Sequence, residues 1–327
     1  MKNNFVPHSP FTTPVLFLIF NRPDTTQMVF DAIKKAKPKQ LFIVADGPRE
    51  GKEGEKEKCE QARKVIEQID WDCKVKTFFR DKNLGCKVAV SSAIDWFFEN
   101  VKEGIILEDD CLPDQSFFQF CKKMLEKYRN DTRIMMITGT NYFINNIEIK
   151  ESYFFSKHFT IWGWATWRRA WKHYDINMDA WGKFKKEDQL KYLTNSFIIK
   201  KHFEKTFDLI SNNKMDTWDI QWVFTCFFNN GLAIVPRCNL ISNIGVEGTH
   251  TIGKVTDSHF LKTYSINNQN LTHPKMVFPN KLYDEKLHNL KNKPVVLKAL
   301  VFDIVIMLFK KIKIYTFLKN IYRSIVK

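Results

Sequence analysis

Five short apolar runs alternating with four amphipathic stripes fill the first 140 residues, and no other feature limits the fold so tightly. The runs are Val15–Phe20, Leu41–Ala45, Lys74–Phe79, Gly104–Leu107 and Ile134–Thr138, each the length of a strand. Between them, Val29, Ala32, Ile33 and Ala36 follow helical spacing, as do Ala62, Val65, Ile66 and Ile69. Val90, Ala93, Ile94 and Phe97 repeat the pattern, and Phe117, Phe120, Cys121, Met124, Leu125 and Tyr128 complete it. Such alternation predicts an α/β fold, a mostly parallel Rossmann-like sheet flanked by helices. Ligands of open α/β sheets bind beyond the carboxyl ends of the strands, so the residues after each run carry the chemical information.

Those residues are polar and acidic. The first run ends in Asn21-Arg22-Pro23-Asp24, where Pro23 and Asp24 open a helix and Arg22 offers phosphate oxygens a planar fork. The second ends in Val44-Ala45-Asp46-Gly47, and Asp46 is placed either to accept a uracil N3–H or to close an Asx-turn. Arg80-Asp81-Lys82-Asn83-Leu84-Gly85 leads into a helix whose N-terminus can face an anion. The fourth run ends in Glu108-Asp109-Asp110, three carboxylates that repel one another unless a cation or a donor-rich ligand joins them. Oxygen ligands suit Mn²⁺ or Mg²⁺ carrying substrate phosphates, and the plainer alternative is an acidic turn before a helix. Further on, Asp216-Thr217-Trp218-Asp219-Ile220-Gln221-Trp222 sets carboxylates among indoles. That combination suits sugar binding and general-base duty, or else a helix cap among core tryptophans.

The ordered set of motifs resembles GT-A-fold nucleotide-sugar glycosyltransferases, in the branch around N-acetylglucosaminyltransferase I and its bacterial cell-surface relatives. The likeness spans about residues 12–252 and rests on Ile19-Phe20-Asn21-Arg22, Val44-Ala45-Asp46-Gly47, Asn83-Leu84-Gly85 with Ala93–Phe98, and Leu107-Glu108-Asp109-Asp110. Trp162-Gly163-Trp164, Trp218-Asp219-x-x-Trp222, Asn243-Ile244-Gly245 and Gly248-Thr249-His250 continue it. The resemblance implies a UDP-sugar donor and a glycan or glycolipid acceptor. It implies that Asp46 meets the uracil, Arg22 the diphosphate, and Asn83 the nucleotide. Asp110 would hold the metal, with Glu108 and Asp109 on sugar and ribose hydroxyls and Trp164 and Trp218 beside the donor sugar. Asp219 would be the catalytic base, and His250 would lie on a loop that closes over the nucleotide. Ile220-Gln221 stands where the eukaryotic branch has a second acid, which leaves Asp216 as the other candidate base.

Residues 1–140 therefore read as a nucleotide-sugar-binding half and 141–263 as the acceptor-binding half of the same domain. Seven of the nine tryptophans lie in the second half, which marks it as the more aromatic. Within the first half, Arg49–Glu60 carries nine charged residues and reads as a solvated, mobile insertion. Residues 264–293 read as a linker or surface strap, and 294–327 as a basic amphipathic tail. In that tail Ile314, Phe317, Leu318, Ile321, Tyr322 and Ile325 share one helical face, opposed by Lys313, Lys319, Arg323 and Lys327. This is the pattern of a helix lying on an anionic membrane surface, or of one packed on the core. The net charge of +15 comes with no zinc-finger, helix-turn-helix or RNA-recognition motif, which argues against a nucleic-acid partner. Seven cysteines without a C-x-x-C pair suit a reduced compartment, and the expected location is the inner face of the cytoplasmic membrane. Two alternatives are a nucleotidyltransferase, whose glycine- and lysine-rich loop after the first strand is absent, and a non-catalytic basic membrane-surface protein.

Overall fold

The structure is a computed structural model that describes residues 11–143, 147–245 and 261–290. The chain runs β1 (Val15–Ile19), α1 (Pro23–Ala36), β2 (Gln40–Ala45), α2 (Glu55–Arg63), β3 (Lys74–Phe79), α3 (Gly85–Asn100), β4 (Glu103–Glu108), β5 (Cys111–Pro113), α4 (Gln115–Lys127) and β6 (Ile134–Thr138). It continues through β7 (Tyr153–Ser156), β8 (Trp164–Trp167), α5 (Arg168–Trp171), α6 (Trp181–Lys186), α7 (Phe197–Ser211), α8 (Asp219–Phe228), β9 (Leu232–Pro236) and β10 (Ile241–Asn243). All five expected strands form. The α/β class and the mostly parallel, helix-flanked sheet are those read from the sequence.

Eight strands build the main sheet in the order β3-β2-β1-β4-β8-β6-β9-β7. The first four are mutually parallel, and the chain reverses direction of growth between β1 and β4, the switch point at which such sheets bind ligands. The second half of the chain enters this sheet directly. β8 lies antiparallel between β4 and β6, separating two strands that simple alternation makes neighbours.

The two-residue period of the strands explains the layering. Val15, Phe17 and Ile19 face one apolar cluster with α1 and α4, while Leu16 and Leu18 face a second with α3. The tryptophans Trp164, Trp171, Trp218 and Trp222 belong to that second cluster, stacked on one another. A third cluster joins α6, α7 and α8 through Trp181, Phe184, Phe207 and Phe224. β3 is the exposed edge, and its Lys74 and Lys76 discourage further strand pairing.

Two segments add to the sequence reading. Arg49–Glu60 is not simply a solvated insertion: α2 begins at Glu55, a side chain only 5% exposed. Arg49 pairs with Glu55, Asn21 Nδ2 donates to it at 2.9 Å, and the Arg49 backbone N–H does so at 2.6 Å. The segment is therefore stitched to the end of β1. Residues 261–280 form an irregular strap tied to α4 and β7, for instance through Ile266 N–H to Ser116 Oγ at 3.0 Å, and residues 281–290 are helical. The tail at 294–327 lies outside the described residues. Among those described, no helix is long and apolar enough to cross a membrane.

Candidate active site

At the switch point the loops after β1, β2, β3 and β4 enclose a cleft of about 320 Å³. Arg22, Asp46, Arg49, Arg80, Asn83, Glu108, Asp109 and Asp216 line it. The four segments singled out in the first half of the sequence thus converge on one place.

The acid triplet is organised by Arg22. Its guanidinium forks across two carboxylates, Nη2 to Asp109 Oδ1 and Nη1 to Asp110 Oδ2, the latter at 2.9 Å. Burial works against the Arg22 charge, but the two aspartates outweigh it and its pKa is raised. Asp109 also accepts the Phe20 backbone N–H at 3.2 Å. Burial pushes Asp109 up to about 6, with Arg22 acting in the opposite direction. Glu108 is different. No donor among the described residues reaches its carboxyl group, and burial, together with Asp110, Asp109 and Asp219, raises its pKa well above the usual range.

Gly245 explains how closely the second half approaches. β10 pairs with β5, Ile244 N–H donates to the Asp110 carbonyl at 2.8 Å, and Gly245 follows. A Cβ there would stand 2.8 Å from Asp110 Oδ2 and 3.1 Å from Arg22 Nη1, so a side chain at this position would displace the ion pair. The segment carrying His250 begins immediately afterwards, and His250 lies outside the described residues.

At the other end of the cleft, Asp46 binds its own neighbourhood. It accepts the Gly47 and Leu84 backbone N–H groups at 3.0 and 3.1 Å and Asn83 Nδ2 at 2.9 Å. Burial raises its pKa, opposed by these hydrogen bonds. A Cβ on Gly47 would clash with the Lys82 backbone at 2.4 Å, so the two loops touch main chain to main chain. The turn-closing reading of Asp46 is therefore present, with both of its oxygens engaged. Asn83 is held between Asp46 and the Gly47 carbonyl, also at 2.9 Å.

The N-terminus of α3 does face an anion, and that anion belongs to the protein. Asp216, from the loop between α7 and α8, accepts Cys86 N–H at 3.0 Å and Lys87 N–H at 2.9 Å. Lys87 Nζ reaches back to Asn213 Oδ1 at 2.9 Å. Both Asp216 oxygens are thus engaged. Asp219, the first residue of α8, receives Thr217 Oγ1 and the Ile220 N–H on Oδ1 alone. Its second oxygen meets no donor among the described residues. Asp219 does not line the cleft, yet it stands close enough to Glu108 to raise that group's pKa.

The tryptophans fall elsewhere. Trp164 and Trp218 are 1% and 3% exposed, stacked with ring centroids 5.7 Å apart, and neither offers a face to the cleft. The structure favours the core reading for both, because sequence spacing does not separate a packed indole from a presented one.

Arg49 and Arg80 line the cleft and Glu55 pairs with Arg49, placements the sequence did not announce. Arg80 is 8% exposed, donates to Ser92 Oγ at 2.9 Å and lies over the Phe78 ring at 4.5 Å. It forms no ion pair among the described residues; burial lowers its pKa, with the neighbouring Asp46 charge acting in the opposite direction. The signal in the sequence was its position one residue beyond β3.

For a divalent cation the donor set is chemically suitable: three acids face one arginine in the triplet, and every ligand atom is oxygen. No cluster of three or more potential metal ligands assembles among the described residues. A cation here would therefore be held by Asp110 with substrate phosphates and water, the mode in which Mg²⁺ uses one or two carboxylates.

No family model matches the sequence, and no curated protein matches it. Solved structures that superpose on parts of the chain include mouse xyloside xylosyltransferase 1 in its apo form, at 9% identity and TM-score 0.33 over 65% of this chain and 80% of that one. UDP-glucose pyrophosphorylase complexed with UDP-glucose gives 9% and 0.30 over 50% and 78%. The 4-diphosphocytidyl-2C-methyl-D-erythritol synthase of Anaerococcus prevotii gives 8% and 0.31 over 66% and 98%. Likeness of this degree assigns the chain neither a family nor an activity.

Proposed function

We propose that this chain is an inverting, metal-dependent glycosyltransferase that moves a sugar from a UDP-sugar to a hydroxyl of a glycan or glycolipid. The observation that carries the proposal is the cleft at the switch point, where Arg22 bridges Asp109 and Asp110 while Glu108 is left without a donor. A carboxyl group without a donor suits the hydroxyl groups of a sugar, and the Arg22 fork suits a diphosphate. Asp46 and Asn83 stand at the nucleoside end of the same cleft.

Asp219 is the base in this scheme. Its free oxygen takes the proton of the acceptor hydroxyl as that oxygen attacks the anomeric carbon in line with the departing diphosphate. Asp216 fits the role less well, because both its oxygens hold α3. A cation at Asp110 would offset charge developing on the diphosphate. Arg22 supplies the same kind of stabilisation from the protein itself. The basic, apolar tail suits attachment to the cytoplasmic membrane face, where a lipid-linked acceptor would lie.

Isothermal titration with UDP, with and without Mn²⁺, tests the proposal in the wild type and in Asp110→Asn. The expected result is binding strengthened by Mn²⁺ in the wild type, with that strengthening lost in the variant and an unchanged melting curve. Equal Mn²⁺ dependence in both would remove Asp110 from the metal site. A donor-hydrolysis screen over nucleotide sugars then names the sugar.

A further inference from the structure

A second opening lies beside β7, the last strand of the sheet. β7 is four strands from β4, about 19 Å at the usual strand spacing, and the opening shares no lining residue with the cleft at the switch point. Two stretches distant in sequence meet there. Residues 191–199 are tied to the end of β7 by Lys157, whose Nζ donates to the Tyr192 carbonyl at 3.3 Å. Residues 278–289 are tied to it by the Asn280 N–H, 2.7 Å from the Phe155 carbonyl, and by Asp284, which accepts the Ser156 hydroxyl. The groove they line has a volume of about 550 Å³, within the range of ligand sites.

Three features of the lining point to one kind of ligand. Tyr192 and Phe278, one from each stretch, are 66% and 74% exposed. A single aromatic ring in water is ordinary, but two on one groove mark an interaction site. Asn195 and Asn289 line the same groove, and their amides, each able to donate and accept, meet no partner among the described residues. Lys157 and Lys191 form no ion pair among the described residues, and Lys191 Nζ stands 5.0 Å from the centre of the Tyr192 ring. Lys281 is offset by Glu285 at 3.8 Å, so Lys157 and Lys191 face Asp284 alone and the lining is net positive. Ring faces suit the C–H surface of a sugar, amides suit its hydroxyl groups, and lysines suit a carboxylate. A membrane surface would use the rings and lysines but not amides set in a concave wall.

We propose that this groove binds an acidic oligosaccharide chain, holding a part of the acceptor several sugar units away from the hydroxyl that reacts. The acceptor role rests on the glycosyltransferase reading above, and it makes the acceptor a chain instead of a single sugar.

The test is titration of the full-length protein with hexamers of galacturonic acid and of sialic acid, with maltohexaose as the neutral chain and with UDP. Wild type, Tyr192→Ala and Lys191→Gln are compared, and both replaced side chains are exposed, so the melting curve should not move. At least one acidic hexamer should bind the wild type, more weakly as salt rises, and at least tenfold more tightly than maltohexaose. Tyr192→Ala should weaken that binding about tenfold and Lys191→Gln about threefold, with UDP affinity unchanged. Failure of both acidic hexamers to bind, or undiminished binding by folded Tyr192→Ala, overturns the inference. Equal affinity for maltohexaose overturns the acidic class. Flotation on anionic vesicles that falls in Tyr192→Ala, with no hexamer bound, would make this face a membrane contact instead. UDP binding that persists through any of these leaves the donor reading intact. A wild type that binds an acidic hexamer but no nucleotide keeps the groove and overturns the donor reading, with the acceptor role.

Discussion

Replacement of Asp216 separates a structural carboxylate from a catalytic one. Its two oxygens hold the Cys86 and Lys87 N–H groups, the first free donors of the sixteen-residue helix α3. Removing a helix N-cap costs about 0.5–2 kcal/mol, and the favourable charge at a helix N-terminus adds about 0.3–1 kcal/mol. The side chain is exposed, so water replaces part of what is lost, and Asp216→Ala should lower the unfolding free energy by about 1 kcal/mol. Asparagine caps helices about as well as aspartate, although one oxygen cannot serve both N–H groups fully. Asp216→Asn should therefore recover about half the loss. Urea unfolding followed by tryptophan fluorescence reads both values. Transfer by the folded asparagine variant should stay within about threefold of wild type, because it can still hold the Gly85 turn at the cleft. A variant of wild-type stability that loses turnover more than about a hundredfold would refute the reasoning and make Asp216 the base.

Other outcomes follow from the same geometry. Asp219→Asn should reduce transfer by roughly two to four orders of magnitude with UDP-sugar affinity nearly unchanged, since a base matters only when the acceptor proton leaves. Asp284, in the helical stretch 281–290, is raised to about 6 by burial, against the hydrogen bonds it accepts from Ser156, His158 and Lys157. An acid whose folded pKa exceeds its unfolded value of about 3.9 binds more protons when folded, so its contribution is full below pH 4 and is lost as pH rises through 6. The wild type should lose about 3 kcal/mol relative to Asp284→Asn over that interval, measured by urea unfolding at several pH values. Truncation after Lys293 should abolish flotation with anionic vesicles while UDP binding survives; equal flotation of the truncated and full chains would withdraw the membrane proposal.

What the sequence disclosed depended on whether the signal was local. The strands at Val15, Leu41 and Gly104 and the stripes of α1, α3 and α4 are periodic, and periodicity follows directly from burial on a sheet. The carboxyl-end rule then located Arg22, Asp46, Asn83 and the acid triplet without reference to tertiary contacts. The insertion of β8 between β4 and β6 was not visible, because Trp164–Trp167 is four residues long and its partners are set by distant chain. Glu55 was hidden as one of nine charges between Arg49 and Glu60, nothing local distinguishing the one that is buried. The tryptophans misled for a related reason: an indole has the same sequence signature whether it packs on Trp222 or on a sugar. Asp216 meets its partners across 130 residues, and no spacing rule reaches that far.

The fork of Arg22 over Asp109 and Asp110 means that the acid triplet carries its own counterion. Because Arg22 already offsets two of the three carboxylates, chelators should leave the melting transition where it is. Under the proposed function, occupation of the cleft would be an exchange of partners. An incoming diphosphate would compete with two carboxylates for the guanidinium, and those carboxylates, once released, would need a new positive charge. If the proposed function holds, nucleotide and divalent cation would be linked, each raising the affinity for the other by the same factor. A chain built this way would ignore free cation and free nucleotide at low concentration and respond to the two when both are present.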